Sequence, residues 1–417
     1  MAIPAIQVDI VFNQGWNASG TATLTTVTTA NKVRELFIRR GRPSGQYSQI
    51  QAGRCVLVMD NTNGNLDPSN TSSPYRSGGS TQVVPGREIQ VYATDPSDST
   101  KYKIFAGYVE RWTQKYPGHG FDQVTVIEAV DYFKGLASTK CDVDDFSNEG
   151  THARIIKLID MASDEVPHTL IGTVNRTTIE KDYTKAMNVL NEIEKVNDAE
   201  VGFVYVDRDL DRGIVIGNRE QRIAGASKLI AQFTDDPATD SGWLPYVDAK
   251  LHWDDDFIVN KANAKLYGTS TTVTEASDAD SQLANGVRAV DNTALMLSSA
   301  AAGSEWCAYL VDREKDPYTR VESLIFKPQA DEDLWDPLIQ ADPGQHFQVR
   351  RHPTTGSTIT VNVVLEGITH RAHADDWTTT LSFSPADLYW VLDTDGTGIY
   401  AESSTLGTTT KLAYLET

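Results

Sequence analysis

The chain has 417 residues, 40% hydrophobic and 23% charged, and a formal net charge of −20. That length exceeds what one hydrophobic core usually serves, and the ordinary apolar content excludes a largely disordered chain. No apolar run approaches the roughly 18 residues of a membrane span, the opening MAIPAIQVDIVF lacks the basic end and apolar stretch of a signal peptide, and the acidity opposes binding to a phosphate backbone. The expectations are a protein made in the cytoplasm, with no stable membrane insertion and no sequence-specific nucleic-acid binding.

The first third reads as β-structure. Ile6, Val8, Ile10 and Phe12 recur at every second position, the period of a strand with one buried face. Further strands are predicted at Thr21–Thr28, Val33–Arg39, Arg54–Met59, Glu88–Ala93, Lys103–Trp112 and Gln123–Ala129, separated by turn-rich segments such as 60–70 and Pro85-Gly86. So many short strands without a helical period suggest a small barrel or sandwich over residues 1–136.

The period then changes. Thr151 precedes a helical stripe of Ile155, Ile156, Leu158, Ile159 and Ala162, and Thr184 precedes another of Ala186, Val189, Leu190, Ile193 and Val196. Two apolar runs, Gly202–Asp207 and Gly213–Gly217, read as a hairpin. Residues 137–232 therefore form a predicted α+β insert, and the acidic segment Phe233–Trp243 is a linker candidate. Over 233–390 the chain returns to a second β-barrel/α+β region. Its cleanest strands hold Ile359, Val361 and Val363, and Trp377, Thr379, Leu381 and Phe383; helices are predicted within Ser298–Arg313 and Asp331–Gln340. Residues 391–417 read as a C-terminal arm. No short repeat is apparent, yet the order β, α+β, β suggests two barrel-like units.

Chemistry-bearing patterns are sparse. His370 and His373 stand three apart in a strand and so face opposite ways, which opposes a metal pair. Asp207, Asp209, Asp211 and Gly213 echo a calcium loop, but Arg212 sits where the loop needs Gly and Asn218 where it needs a bidentate Glu. The carboxylates Asp142, Asp144, Asp145 and Glu149, and the run Asp254, Asp255 and Asp256, read as loop acidity. Paired-carboxylate catalysis cannot be inferred from adjacency. His119, His152, His168, His252, His346 and His352 form no compact motif. Cys55, Cys141 and Cys307 have no metal-finger spacing and are expected as buried thiols. No nucleophile, phosphate-loop or zinc-protease motif occurs; Ser44 of Gly41-Arg-Pro-Ser-Gly45 stands one place too late for a nucleophile elbow. No catalytic, cofactor-binding or metal-binding residue is assigned, no cofactor is implied, and no enzymatic activity is expected. Trp16, Tyr75, Trp112, Trp243, Trp253 and Tyr389 occupy turn or strand-end positions, with core packing the favoured reading and interface use the other.

Several strings, taken in order, resemble one family: FNQ…W near the start, RRGR (39–42), AGRCVLVMDNTNGNLDPSN (52–70), SPY (73–75), PGREIQVYA (85–93), FAGYVERW (105–112) and VIEAVDYFKGLA (126–137). They are similar to the opening of minor tail proteins of actinobacterial siphophages, with Met59 where that family more often has Leu. Residues 202–219, 246–268 and 365–385 resemble its later part, with Asp-Arg-Gly where Asp-Gly is commoner, so the likeness spans about 1–390.

The resemblance implies a tail-tip (baseplate) hub in the virion, related to the hubs of contractile tails. It has two related β-barrels per chain and is a homotrimer, so that three chains offer six barrels to a six-fold tail ring. Implied partners are a distal tail protein or tail-tube ring, the tape-measure protein, and other minor tail or receptor-binding proteins; the implied action is opening for DNA ejection. The alternatives are a hexameric distal tail adaptor and a tip protein that binds or hydrolyses cell-wall carbohydrate.

Overall fold

The structure, a computed structural model, describes residues 3–15, 21–42, 48–116, 118, 123–141, 146–162, 168–171, 178–179, 187–209, 213–222, 229–253, 255–266 and 273–386. It is mainly β with α+β insertions, and fourteen strands form one continuous sheet that curls into two barrel-like units. All seven strands predicted in the first third are present, with ends shifted by a few residues. Their alternation builds the first core: Leu36 and Ile38, Cys55 and Leu57, Ile89 and Val91, and Ile127 and Ala129 all point inward.

The two units share one plan. Across the first, the strands lie in the order Val33–Gly41, Arg54–Asp60, Val124–Val130, Lys101–Lys115, Glu88–Thr94, Ala5–Val11 and Leu24–Thr26. Across the second they are Asp248–His252, Arg320–Phe326, Asp376–Pro385, Ile359–His373, His346–Arg351, Leu229–Thr234 and Leu244–Pro245. Numbered along the chain, both read third, fourth, seventh, sixth, fifth, first, second. The first four pairings in each are antiparallel. The units part at the edge, where Leu229–Thr234 runs parallel to its neighbour and Ala5–Val11 antiparallel.

The duplication that the β, α+β, β order suggests is visible in the backbone, though not as a short repeat in the sequence. Pro85-Gly-Arg-Glu-Ile-Gln-Val91 matches Pro343-Gly-Gln-His-Phe-Gln-Val349, with Gly86 and Gly344 both at positive φ. Gly86 N and Gly344 N donate to Val109 O and Leu365 O, each at 2.7 Å, and Val109 N and Leu365 N donate back to Arg87 O and Gln345 O. Val109-Glu-Arg-Trp-Thr-Gln-Lys115 accordingly matches Leu365-Glu-Gly-Ile-Thr-His-Arg371, with a bulge at Glu110 and at Glu366. The identities are too few to show as a sequence period; only the shared hydrogen bonds bring them into register.

A single strand ties the units together. Ile359–Val364 pairs with His346–Arg351, and beyond the bulge Gly367–His373 pairs instead with Glu35–Gly41 of the first unit. The second unit's hairpin thus reaches over the first barrel, where buried Trp377 meets Trp335 edge to face at 5.7 Å inside the first core.

The insert helices Thr151–Ala162 and Val189–Glu200 form, the latter capped by Asn188, which accepts from Asn191 N. The stripe's earlier residues Thr184 and Ala186 lie outside the described residues. The hairpin Phe203–Val206 and Ile214–Gly217 pairs as expected and gains His168–Ile171 as a parallel third strand. A second insertion interrupts the second unit: Lys261–Leu266, Val273–Ser277 and Ala289–Leu295 form a small sheet under the predicted helix Ala300–Glu314. Both insertions share one core, in which Trp306 Nε1 donates to Asp198 O at 3.2 Å. Phe233–Trp243 is no loose linker, because Phe233 and Thr234 end a core strand and buried Asp240 holds Arg350 at 2.5 Å. The predicted arm beyond 390 lies outside the described residues.

Candidate functional site

Where the units and the insert meet, charged groups are buried together. Glu366, fixed by the bulge, accepts from Arg222 Nη1 and from the Ser384 hydroxyl, each at 2.6 Å. Arg222 follows the insert hairpin, covers the Phe203 ring at 4.0 Å and donates Nε to Val201 O. Burial pushes the Glu366 carboxyl up, but Arg222, Arg42 and Ser384 outweigh it and hold it below the usual carboxylate range. Burial lowers the Arg42 guanidinium from its ordinary value, with Glu366 opposing. One step along the same strand pairing, buried Arg40 is ion-paired with Asp342, which also lies 3.6 Å from Arg208. Such a cluster welds three parts of the chain into one body, since removing any member strands the others in low dielectric.

Beside the cluster opens a cleft of about 730 Å³ lined by Arg42, Glu194, Asp198, Phe257 and Trp306. Burial raises the Glu194 carboxyl, against the pull of the hydrogen bond it accepts from Ile50 N at 2.9 Å. Glu194 and Asp198 stand four apart on one helix, hence on one wall of the cleft. Glycoside hydrolysis needs carboxyl groups facing each other across the substrate, which this pair alone does not offer; Asp256 and Asp291 also line the cleft, from other segments.

The residues weighed in the sequence disperse. His370 is buried and receives or gives a hydrogen bond at Thr379 Oγ1, 3.0 Å away, while the His373 side chain is 73% exposed on the opposite face, 3.7 Å from Glu35. Burial, aided by the charges of Arg40 and Arg208, pushes the His370 imidazole down to about 3. Asp209 pairs with Lys103 at 2.7 Å and its N–H donates to Asp207, a hairpin turn; Asp211 and Arg212 lie outside the described residues, as do His119, Asp142, Asp144, Asp145, Asp254 and Ser44. Glu149 instead bridges Arg154 and Lys157. The three cysteines are buried and not joined in disulfides. Among the described residues no three His, Cys, Asp or Glu side chains converge as a metal site, and no helix is long and apolar enough to cross a membrane. Tyr75 stacks on Phe12 at 4.2 Å and Trp243 lies under Arg350, but Trp253 is 69% exposed; Trp16 and Tyr389 lie outside the described residues. The sequence does not mark Glu366, Arg222 and Arg42 as a site, because lone charged residues in strands, turns and strand ends look like solvent-facing ones.

The repeat also leaves two edges without a second strand neighbour among the described residues. Past Val109 the long strand Lys101–Lys115 pairs only with Val124–Val130, and Asp248–His252 has one strand neighbour, Arg320–Phe326, among the described residues. Their counterparts, Gly367–His373 and Glu35–Gly41, pair with each other inside the chain.

Solved structures share this architecture over nearly the whole chain. A tail protein from Neisseria meningitidis MC58 superposes with a TM-score of 0.59 at 12% identity, over 92% of this chain and 96% of that one. The chain has a tail-protein fold. The 43 kDa tail protein of prophage MuSo2 from Shewanella oneidensis gives 0.55 at 11% identity, covering 91% of this chain and 99% of that one. Prophage tail protein gp18 from Listeria monocytogenes EGD-e gives 0.52 at 12%, covering 91% and 94%. No family model and no curated protein matches the sequence.

Proposed function

We propose that the chain is a structural, non-enzymatic hub at the tip of a phage tail, of the kind carried by siphophages of actinobacteria. The observation that carries this reading is the pair of barrels on one plan, joined through a strand pairing whose two halves recur, open, at the outer ends of the molecule. An interface of unlike halves generates a ring when its rotation closes. Three copies place six barrels in that ring, which solves the match to a six-fold tail tube. In this role the trimer closes the tube, seats on a distal tail protein or tube ring, receives the end of the tape-measure protein, carries the proteins that touch the host, and opens to pass DNA. The net charge of −20 suits a channel to which DNA must not adhere.

Counting chains in a cryo-EM map of assembled tail tips tests this. Three copies are expected; six would make the chain a distal adaptor ring. The non-enzymatic half is supported by the lack of a recognisable nucleophile, phosphate-loop or zinc-protease motif in the sequence, and turnover of cell-wall polymer in a zymogram of the purified chain would overturn it.

A further inference from the structure

We infer that the seam between neighbouring copies is the internal junction repeated: the Asp248–His252 strand of one chain adds to the open edge at Trp112–Tyr116 of the next, and Trp253 anchors it against Val84 and Pro85. This rests on the ring reading and gives its interface at residue level.

The register follows from the repeat. Inside the chain, Leu36, Phe37 and Ile38 stand opposite Ala372, Arg371 and His370. In the second unit Ala249 and Leu251 turn inward like Leu36 and Ile38, and the shift in register there is absorbed by Glu322 on the adjacent strand. In the long strand of the first unit Tyr116, Lys115 and Gln114 correspond to Ala372, Arg371 and His370 by the shared bulge. Ala249 then faces Tyr116, Lys250 faces Lys115, and Leu251 faces Gln114 across the seam. Glu322, 2.6 Å from Lys250, offsets the like charge.

The chemistry at the anchor changes as a pair. Trp253 occupies the place of Arg40, and Val84 that of Asp342, the residue before Pro85 or Pro343. Within the chain this point is a buried ion pair; at the open ends both members are apolar, and Trp253 is 69% exposed. A lone exposed tryptophan gains by burial in a partner's apolar pocket, the common form of an interface hot spot. Unlike apolar ends suit a second copy of this chain, because each open edge has the partner it lacks at the other end.

Both lysines are native, so the test needs no altered residue. Assembled tails are treated with a short amine-reactive cross-linker, multi-chain bands are separated, and linked peptides are identified by mass spectrometry. A Lys115–Lys250 link confined to multi-chain bands is expected. Multi-chain bands without it would overturn the seam and leave the ring; single chains alone would overturn both. As a second reading, Trp253→Ala should cut incorporation into tails about tenfold or more, with the melting of the purified chain unchanged, and Trp253→Phe should recover most of it. Full incorporation of Trp253→Ala would remove the anchor.

Discussion

Glu110 and Glu366 occupy the same bulge in the two barrels and lead opposite lives. Glu110 is exposed and meets Lys134 at 3.0 Å on the surface; Glu366 is sealed under Arg222, Arg42 and Ser384. One backbone feature thus serves as surface in one unit and as the weld in the other, and what separates them is whether a third strand and the insert lie on top.

That comparison can be broken by substitution. Glu366→Ala should cost about 3–5 kcal/mol in chemical denaturation, since it takes from the buried Arg222 guanidinium its carboxylate partner, while Glu110→Ala should stay within about 0.5 kcal/mol. Equal losses would mean the buried cluster is not what holds the junction. Gly367→Ala should cost about 2–3 kcal/mol, because its Cβ would overlap the Arg42 carbonyl oxygen. Its counterpart Arg111, largely exposed and 3.2 Å from Glu128, should tolerate alanine with a change of about 0.5 kcal/mol at most.

A pH effect sharpens the contrast further. Asp131, at the place that Pro385 fills in the second unit, is raised to about 7 by burial, against the pull of Gly53 N, Phe133 N and Arg40. The folded chain keeps a proton that an unfolded Asp, near 3.9, releases. The site therefore makes unfolding easier as pH rises from about 4 to 7, by at most ~1.4 kcal/mol per unit, and Asp131→Asn should remove that slope. An unchanged slope in the variant would assign it elsewhere. The smallest effect is expected for Trp253→Ala in the isolated chain, within about 0.5 kcal/mol by thermal melting, because so exposed a side chain packs little there.

The strands of the first unit were legible because one face of each is wet, so polar and apolar residues alternate. Strands of the second unit such as Asp248–His252 and Arg320–Phe326 carry Lys250 and Glu322 beside weak apolar positions, and their pairing is set by distant partners rather than by local period. Ala262, Ala264 and Leu266 do alternate, yet six residues with two lysines and an asparagine give too faint a signal to mark the second insertion. The junction was illegible for a related reason: Arg222 and Glu366 are 144 residues apart, and nothing local to either shows that it is buried.

The fifteen-residue strand Ile359–His373 belongs to both barrels, and so it is a load path. A pull on one barrel reaches the other along covalent backbone and through ladders stressed in shear, every bond at once. The proposed contacts between chains contain no such covalent bridge. An assembly of these subunits would therefore part along its seams, moving as rigid double-barrel blocks, before any block gave way within.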